Sequence, residues 1–315
     1  MECSPHDNLN QADLLLVNPV AGGGLASEIL PQLREFAAHR QWNLEISITE
    51  SPNDLSAKAR RAAAAGRPRI FVLGGDGTFQ VLLNAVAEYK QTILGVIPAG
   101  GGNDLAASLG FPPNPIRAAA LLLDGEVCHL DVVRVRTADG NERLYSGGGG
   151  VGLDAQAALY ANGAYRNLRG RLRYILAALR ALIGFQPIRV QISTFGSDPR
   201  SLKTTALLVG VLNTSSYGAG VHLAPAAKTD DGILEVVALE NLSVLQILYL
   251  FPSFASRGQL KTKQIRRLRA TCLRIETDSP HWFQADGELL GLTPVDIAVV
   301  PLAVRVIHAK QQYKT

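Results

Sequence analysis

The chain has 315 residues, long enough for two domains. Hydrophobic residues at 47% and charged residues at 18% describe a globular protein with a substantial core and exclude a disordered one. Net charge +4 with pI ≈ 9.0 is only mildly basic, so any electrostatic function depends on where the charge is placed.

Met1 to Gln11 is polar and lacks the basic start and apolar centre of a signal peptide. No apolar run reaches the roughly 18 to 20 residues that span a bilayer, and the nearest, Val244 to Phe254, is too short. Cys3, Cys128 and Cys272 are odd in number, far apart and without metal-ligand spacing, which predicts free thiols in a reducing cytosol.

In chain order, Asp13 to Val17 reads as a buried strand, followed by the glycine-rich loop Asn18-Pro-Val-Ala-Gly-Gly-Gly24 and a helix over Leu25 to Arg40. Leu44 to Thr49 alternates like a strand, and Leu55 to Ala65 is an alanine-rich helix. Ile70 to Leu73 is a continuous apolar run, as a strand buried on both faces would be. The glycines between Gly74 and Gly77 turn the chain, and helical spacing begins at Phe79. Ile93 to Ile97 is a further strand, the loop Pro98 to Asp104 carries three glycines, and helices follow over Leu105 to Leu109 and Pro115 to Leu123. Strands alternating with helices predict a parallel α/β sheet, whose ligands bind at the carboxyl ends of the strands, where all three glycine loops fall.

Past Asp124 the texture changes to short segments of apolar and polar alternation. Strands are expected over His129 to Val135, from Leu144, and over Ile188 to Thr194, Thr205 to Asn213, Gly232 to Leu239, Cys272 to Thr277 and Val295 to Val300. Helical insertions are expected over Arg169 to Ile183 and Ser243 to Ser256, and Ala303 to His308 as a last strand returning to the first domain. The domains are therefore drawn at 1–127, joined by 303–315, and 128–302.

The stretch Gly74-Gly-Asp-Gly-Thr78 joins a buried strand to a helix N-terminus, whose free N–H groups and positive dipole end favour an anion. Asp76 in its middle makes sense beside a phosphate if Mg²⁺ lies between them; the alternative is a tight turn in which Asp bonds its own backbone. Lys228-Thr-Asp-Asp231-Gly-Ile233 could hold a hard cation through oxygen ligands or be a solvated hairpin turn. Asp286-Gly-Glu288 comes out of apolar neighbours, a setting for a general base or for an ordinary Asp-Gly turn. Gly147 to Gly152 formally satisfies the dinucleotide fingerprint but has no strong parallel strand before it and no acidic residue in the twenty or so after Asp154.

Taken together these motifs resemble the diacylglycerol kinase catalytic-domain family over nearly the whole chain. The matching pieces are Asn18-Pro19 with Gly22, Gly74 to Thr78, Pro98 to Asp104, Leu223-Ala-Pro-Ala226 with Asp231-Gly232, and Asp286 to Glu288. The resemblance implies an α/β N-terminal nucleotide-binding domain, a C-terminal β-sandwich-like domain and an active-site cleft between them. It also implies ATP or another nucleoside triphosphate, with Mg²⁺, and transfer of the γ-phosphate to a lipid hydroxyl. By position, Asp286 would take the hydroxyl proton. Asp76, Asp104 and Asp54 would join a water and Mg²⁺ network with Glu288 adjoining. Asn18, Pro19, Gly22, Thr49, Gly74, Gly75, Asp76, Gly77, Thr78, Gly100, Gly102 and Asn103 would bind the nucleotide. Asp231, with the carbonyls of Lys228 and Ile233, resembles the family's structural Mg²⁺ site.

The chain departs from the family pattern at Gln80-Val81, where an Asn-Glu pair is common, at Gly101 and Ala107, where Thr and Arg are common, and at Asn53, where glycine is. Arg166, Arg169, Arg171 and Arg173 before the apolar Tyr174 to Ile183, and Lys261, Lys263, Arg266, Arg267 and Arg269 in a second run, suit an anionic lipid surface or are solvated faces. Aromatics at 6% with no binding motif argue against nucleic acid. The expectation is a cytoplasmic lipid kinase, peripheral at the inner membrane face, with a membrane lipid as substrate and a homodimer compatible. A relative phosphorylating a nucleotide, as NAD kinases do, and a non-catalytic nucleotide- or lipid-binding relative are the alternatives.

Overall fold

The computed structural model describes residues 11–165, 168, 170–196, 198–218, 220–240, 246 and 264–309, the side chains of 170 and 171 excepted. Arg166, Arg169, Lys261, Lys263, Cys3 and, apart from residue 246, the helix expected over 243–256 lie outside the described residues. The chain divides into two units, one of Met1–His129 with Ala303–Thr315 and one of Leu130–Leu302.

In the first unit, β1 (Asp13–Val17) is buried along its whole length, so each of its leucines contributes on the order of 1.5 to 3 kcal/mol of burial. It lies between β2 (Leu44–Ile48) and β3 (Arg69–Gly74), both parallel to it. β4 (Ile93–Pro98) runs parallel on the far side of β3. The buried carboxylate of Asp13 is satisfied by Trp42 Nε1 and Arg69 Nε, each at 2.6 Å, as a charge out of water requires. Helices α1 (Leu25–His39), α2 (Pro52–Ala64), α3 (Asp76–Val86), α4 (Asp104–Ser108) and α5 (Pro115–Asp124) join and follow the strands. α2 starts three residues before its apolar pattern because Ser51 caps it, accepting from Asp54 N, and Pro52 suits the first turn.

The second unit is β-rich. Between β5 (Glu126–Arg136), which begins in the first unit, and β15 (Val295–His308), which ends there, come nine strands among the described residues. They are β6 (Glu142–Tyr145), β7 (Gly148–Gly152), β8 (Ile188–Phe195), β9 (Ser201–Leu212), β10 (Leu234–Glu240), β11 (Ile265–Ala270), β12 (Cys272–Thr277), β13 (Trp282–Ala285) and β14 (Glu288–Leu292). The long β9 pairs antiparallel with β8 through its first half and with β7 through its second, while β10 takes its other edge. The core gathers Val133, Tyr145, Val151, Val209, Leu273 and Phe283.

Four expectations change. Ala303 to His308 is no separate strand but the continuation of β15. The basic stretch 266–269 lies on β11, where Arg266, Arg267 and Arg269 are exposed and Leu268 is half-buried. The helix α6 (Leu153–Asn162) and the hairpin β13–β14 are additions, the latter because four- and five-residue strands carry too little periodicity, whereas α7 (Gly170–Leu182) is the helix expected over Arg169 to Ile183. Gly148 to Gly152 is itself the buried strand β7, antiparallel to β9 and β13, which removes the dinucleotide reading. Its glycines serve close approach: a Cβ on Gly150 would stand 2.5 Å from Val209 O, and one on Gly149 2.8 Å from Gln284 O.

Candidate functional site

The three glycine loops of the first unit follow the carboxyl ends of β1, β3 and β4, and they pack on one another. Asn18 Nδ2 donates to Thr78 Oγ1 at 3.0 Å, and Ala99 N to Gly74 O at 2.8 Å. A Cβ on Gly22 would stand 2.2 Å from Ala99 O, and one on Gly100 2.5 Å from Gly75 Cα. Glycine is needed at these positions because backbone meets backbone, so their presence does not by itself require a ligand. Asn103, at φ 60°, closes the third loop by accepting from Gly100 N and donating to Gly100 O, both at 2.9 Å.

The signature is the first turn of α3, not a turn preceding it. The first bond of that helix runs from Phe79 N to Gly75 O, which leaves the N–H groups of Asp76, Gly77 and Thr78 ahead of the ladder. The Asp76 carboxylate faces the next helix: it accepts from Asp104 N and Leu105 N, both at 3.1 Å, at the start of α4. Helix N–H donors therefore already balance part of its charge. Desolvation, and then the nearby Asp104 carboxylate, push its carboxyl up to about 6, against the N–H bonds it accepts.

Asp76 and Asp104 are thus brought together. Asp54 is engaged locally, accepting from Lys58 Nζ at 2.8 Å and Glu50 N at 3.0 Å. The Lys58 bond is the first cause holding its carboxyl below the usual value. Thr49 is buried with its hydroxyl on Val17 O, and Pro19 accepts from the Ser27 hydroxyl. Gly77, Gly101 and Gly102 are half-buried in the same loops, and Ala107 is exposed on α4. Gln80 is buried on α3, so the position where an Asn begins the pair in relatives points into the protein.

In the second unit Asp286 and Gly287 form the two-residue turn of the β13–β14 hairpin, at φ 49° and 85°, the type I′ geometry that Asp-Gly favours. The Asp286 carboxylate accepts three backbone N–H groups, from Ser146, Gly147 and Gly148, each at 3.1 Å. Its apolar neighbours in sequence, Phe283 and Leu289, do not form its immediate surroundings; polar backbone does. Glu288 is exposed at the start of β14.

Three polar side chains invisible to the sequence argument surround this turn. Gln284 Oε1 accepts from Gly287 N at 3.1 Å, and Gln284 Nε2 donates to Asp154 Oδ2 at 3.0 Å. Tyr217 OH bonds the same Asp154 oxygen. Burial pushes the Asp154 carboxyl up, opposed by its bonds from Tyr217 and Gln284. The two bonds to Asp154 join residues 63 and 130 positions apart, so no local pattern could reveal them.

The Lys228–Ile233 segment presents carboxylate and carbonyl oxygens, the donor type a hard cation takes. Asp231 Oδ1 accepts from Ile233 N at 3.1 Å, and Oδ2 lies 3.4 Å from the Arg269 guanidinium. The Arg269 guanidinium thus already faces the second carboxylate oxygen, the place a cation would compete for. Among the described residues no group of three or more His, Cys, Asp or Glu is gathered for a metal. Buried Asp131 ties the same segment down, accepting from Gly232 N and Leu302 N at 2.6 Å.

Among the described residues, four arginines of the two basic runs have partners inside the second unit. Arg173 turns inward to Asn162 Oδ1 and Ala161 O. Arg266 pairs with Glu240, Arg269 with Glu235, and Arg267 donates to Leu223 O. Opposite Arg173, α7 exposes Leu172, Ile175 and Leu179 at helical spacing, with Ile183 just beyond it. Among the described residues no helix is long and apolar enough to cross a membrane.

Residues 13–135 match the diacylglycerol kinase catalytic domain, and residues 147–308 the YegS C-terminal NAD kinase beta sandwich-like domain. The chain belongs to the diacylglycerol kinase catalytic-domain family, and at that level it is a lipid kinase that uses a nucleotide. A Mycobacterium tuberculosis diacylglycerol kinase is 29% identical over 94% of both chains. A Bacillus subtilis diacylglycerol kinase is 24% identical over 95% of this chain and 96% of that one. Two Bacillus anthracis crystal structures share the fold. One, of a diacylglycerol kinase, has a TM-score of 0.71 at 23% identity, and the other 0.76 at 25%; both cover 95% of this chain and 97% of theirs.

Proposed function

We propose that this chain transfers the γ-phosphate of ATP, with Mg²⁺, to the hydroxyl of diacylglycerol or a related lipid. The observation that carries the reading is Asp286: a carboxylate at a hairpin tip, held by three backbone amides, in the motif position of the family's proton acceptor. A base fixed in orientation meets a substrate hydroxyl without reorganising, which is how positioning assists phosphoryl transfer. The N–H groups of Asp76, Gly77 and Thr78, with the loops at Asn18–Gly24 and Ala99–Asn103, bind the triphosphate. Asp76 and Asp104 lie where the cation accompanying it would be held. When bound, Mg²⁺ would supply charge neutralisation at the phosphates, and Asp231 with the carbonyls of Lys228 and Ile233 would hold a second ion.

Family membership supports a kinase, and the exposed apolar side of α7 supports peripheral contact with a lipid surface. Incubation with labelled ATP and a mixed lipid extract tests the reading: label in a diacylglycerol-like lipid is expected. Label in a soluble dinucleotide, or nucleotide binding with no transfer, overturns it.

A further inference from the structure

The Gly287 peptide groups, next to the proposed base, are gripped at both ends by side-chain amides. Gln284 takes the N–H, and Asn162 Nδ2 donates to the C=O at 2.8 Å. Each amide is itself oriented by a charged or acidic group. Arg173 Nη2 donates to Asn162 Oδ1 at 2.5 Å. Because a guanidinium only donates, it fixes the Asn162 oxygen toward itself and the amide nitrogen toward Gly287. Arg173 is anchored in turn by Nε on Ala161 O, at the end of α6. On the other side Asp154, with Tyr217, orients Gln284.

We propose that Asn162 and Arg173 are positioning residues for Asp286, acting through the Gly287 backbone. The inference rests on the reading of Asp286 as the proton acceptor. The geometry explains why two contacts are needed. The Gly287 N–H belongs to the peptide that sets ψ of Asp286, and the Gly287 C=O to the next one; holding both fixes the turn from either side. Asp286 sits in the left-handed region, which the Asp-Gly turn favours, and the two amide contacts fix where within that region the turn comes to rest. Arg173 is the connection to a second element: it lets α7, whose outer side carries Leu172 and Ile175, set the orientation of a carboxylate on the β13–β14 hairpin.

The test uses the full chain with Asn162→Ala, Arg173→Gln and Arg173→Lys. Turnover of a dispersed diacylglycerol should fall about 10- to 100-fold in the first two while KM for ATP stays within about twofold, the signature of a misplaced base rather than lost binding. Arg173→Lys, which still donates, should recover part of the loss. In an Asp286→Asn background, Asn162→Ala should add nothing, because the two act through one carboxylate. Hydrogen exchange should speed up in residues 284–289 of both damaging variants, with β7 and β9 unchanged. Wild-type turnover in Asn162→Ala, an equal loss in the Asp286→Asn background, or exchange rising throughout the second unit would each overturn the proposal. If the wild-type chain phosphorylates no lipid, the lipid reading fails, and exchange in 284–289 still decides whether Asn162 and Arg173 hold the turn.

Discussion

At the scale of single residues, the carboxylates differ by what faces them. Asp286 has three N–H donors and a turn that presents it, so Asp286→Asn should lower lipid phosphorylation by about 10² to 10⁴ while ATP binding survives. Wild-type turnover in that variant, measured beside a nucleotide-binding isotherm, would remove Asp286 from the chemistry. Asp76 is held differently, desolvated beside Asp104, with its carboxyl pushed up to about 6 from the ordinary 3.8. The folded state therefore binds more protons than the unfolded one between those values. The stability from the neutral form is complete below pH about 4 and is lost as pH rises through about 6. Thermal melting across that range should show the decline in wild type and a flatter profile in Asp76→Asn; parallel profiles would mean that Asp76 titrates normally.

Elements carry the next level. The pairing of β12 with β15 and of β9 with β7, β8 and β10 depends on long-range antiparallel register, whereas the loop at Lys228–Ile233 depends on Asp131 within the fold and on whatever balances Asp231. A hard cation bound there adds stability only to the folded state, by an amount set by its concentration relative to Kd. Mg²⁺ should raise the melting temperature of wild type and leave Asp231→Ala, itself less stable and less active, almost unmoved. Equal shifts in both proteins, or none in either, would leave Asp231 as a turn residue paired with Arg269.

On the proposed function the molecule reaches a lipid hydroxyl at the headgroup level of a bilayer, and among its described residues no helix is long and apolar enough to cross one. Each basic residue near an anionic surface contributes on the order of 1 kcal/mol, screened over about 8 to 10 Å at physiological salt. Vesicle activity should therefore rise with anionic lipid and fall with added salt. Because Arg173 turns inward, the variant that isolates docking replaces Leu172, Ile175 and Leu179 by Ser. It should release protein from sedimented vesicles and preserve turnover of a short-chain soluble substrate. Equal loss of both activities would assign that side of α7 to the fold.

The parts that the sequence alone determined are those written in local pattern. Apolar runs such as Leu14 to Val17 and Ile70 to Leu73 can only be buried strands in a chain of this composition, and glycine loops directly after them mark the carboxyl edge of a parallel sheet. The ordered motifs, from Asn18-Pro19 to Asp286-Gly287, carried the family. Tertiary structure decided what each polar group faces. Asp76 meets the α4 N-terminus instead of open loop, the glycines at 22, 75 and 100 admit backbone instead of leaving space, and Arg173 points at Asn162 instead of a membrane. Hydrogen bonds between residues dozens of positions apart leave no periodic trace in a sequence, since their partners are set by how strands and helices pack and not by the residues beside them. The short strands β13 and β14 escaped for a related reason: their register is fixed by pairing with β7, and four or five residues alone do not specify it.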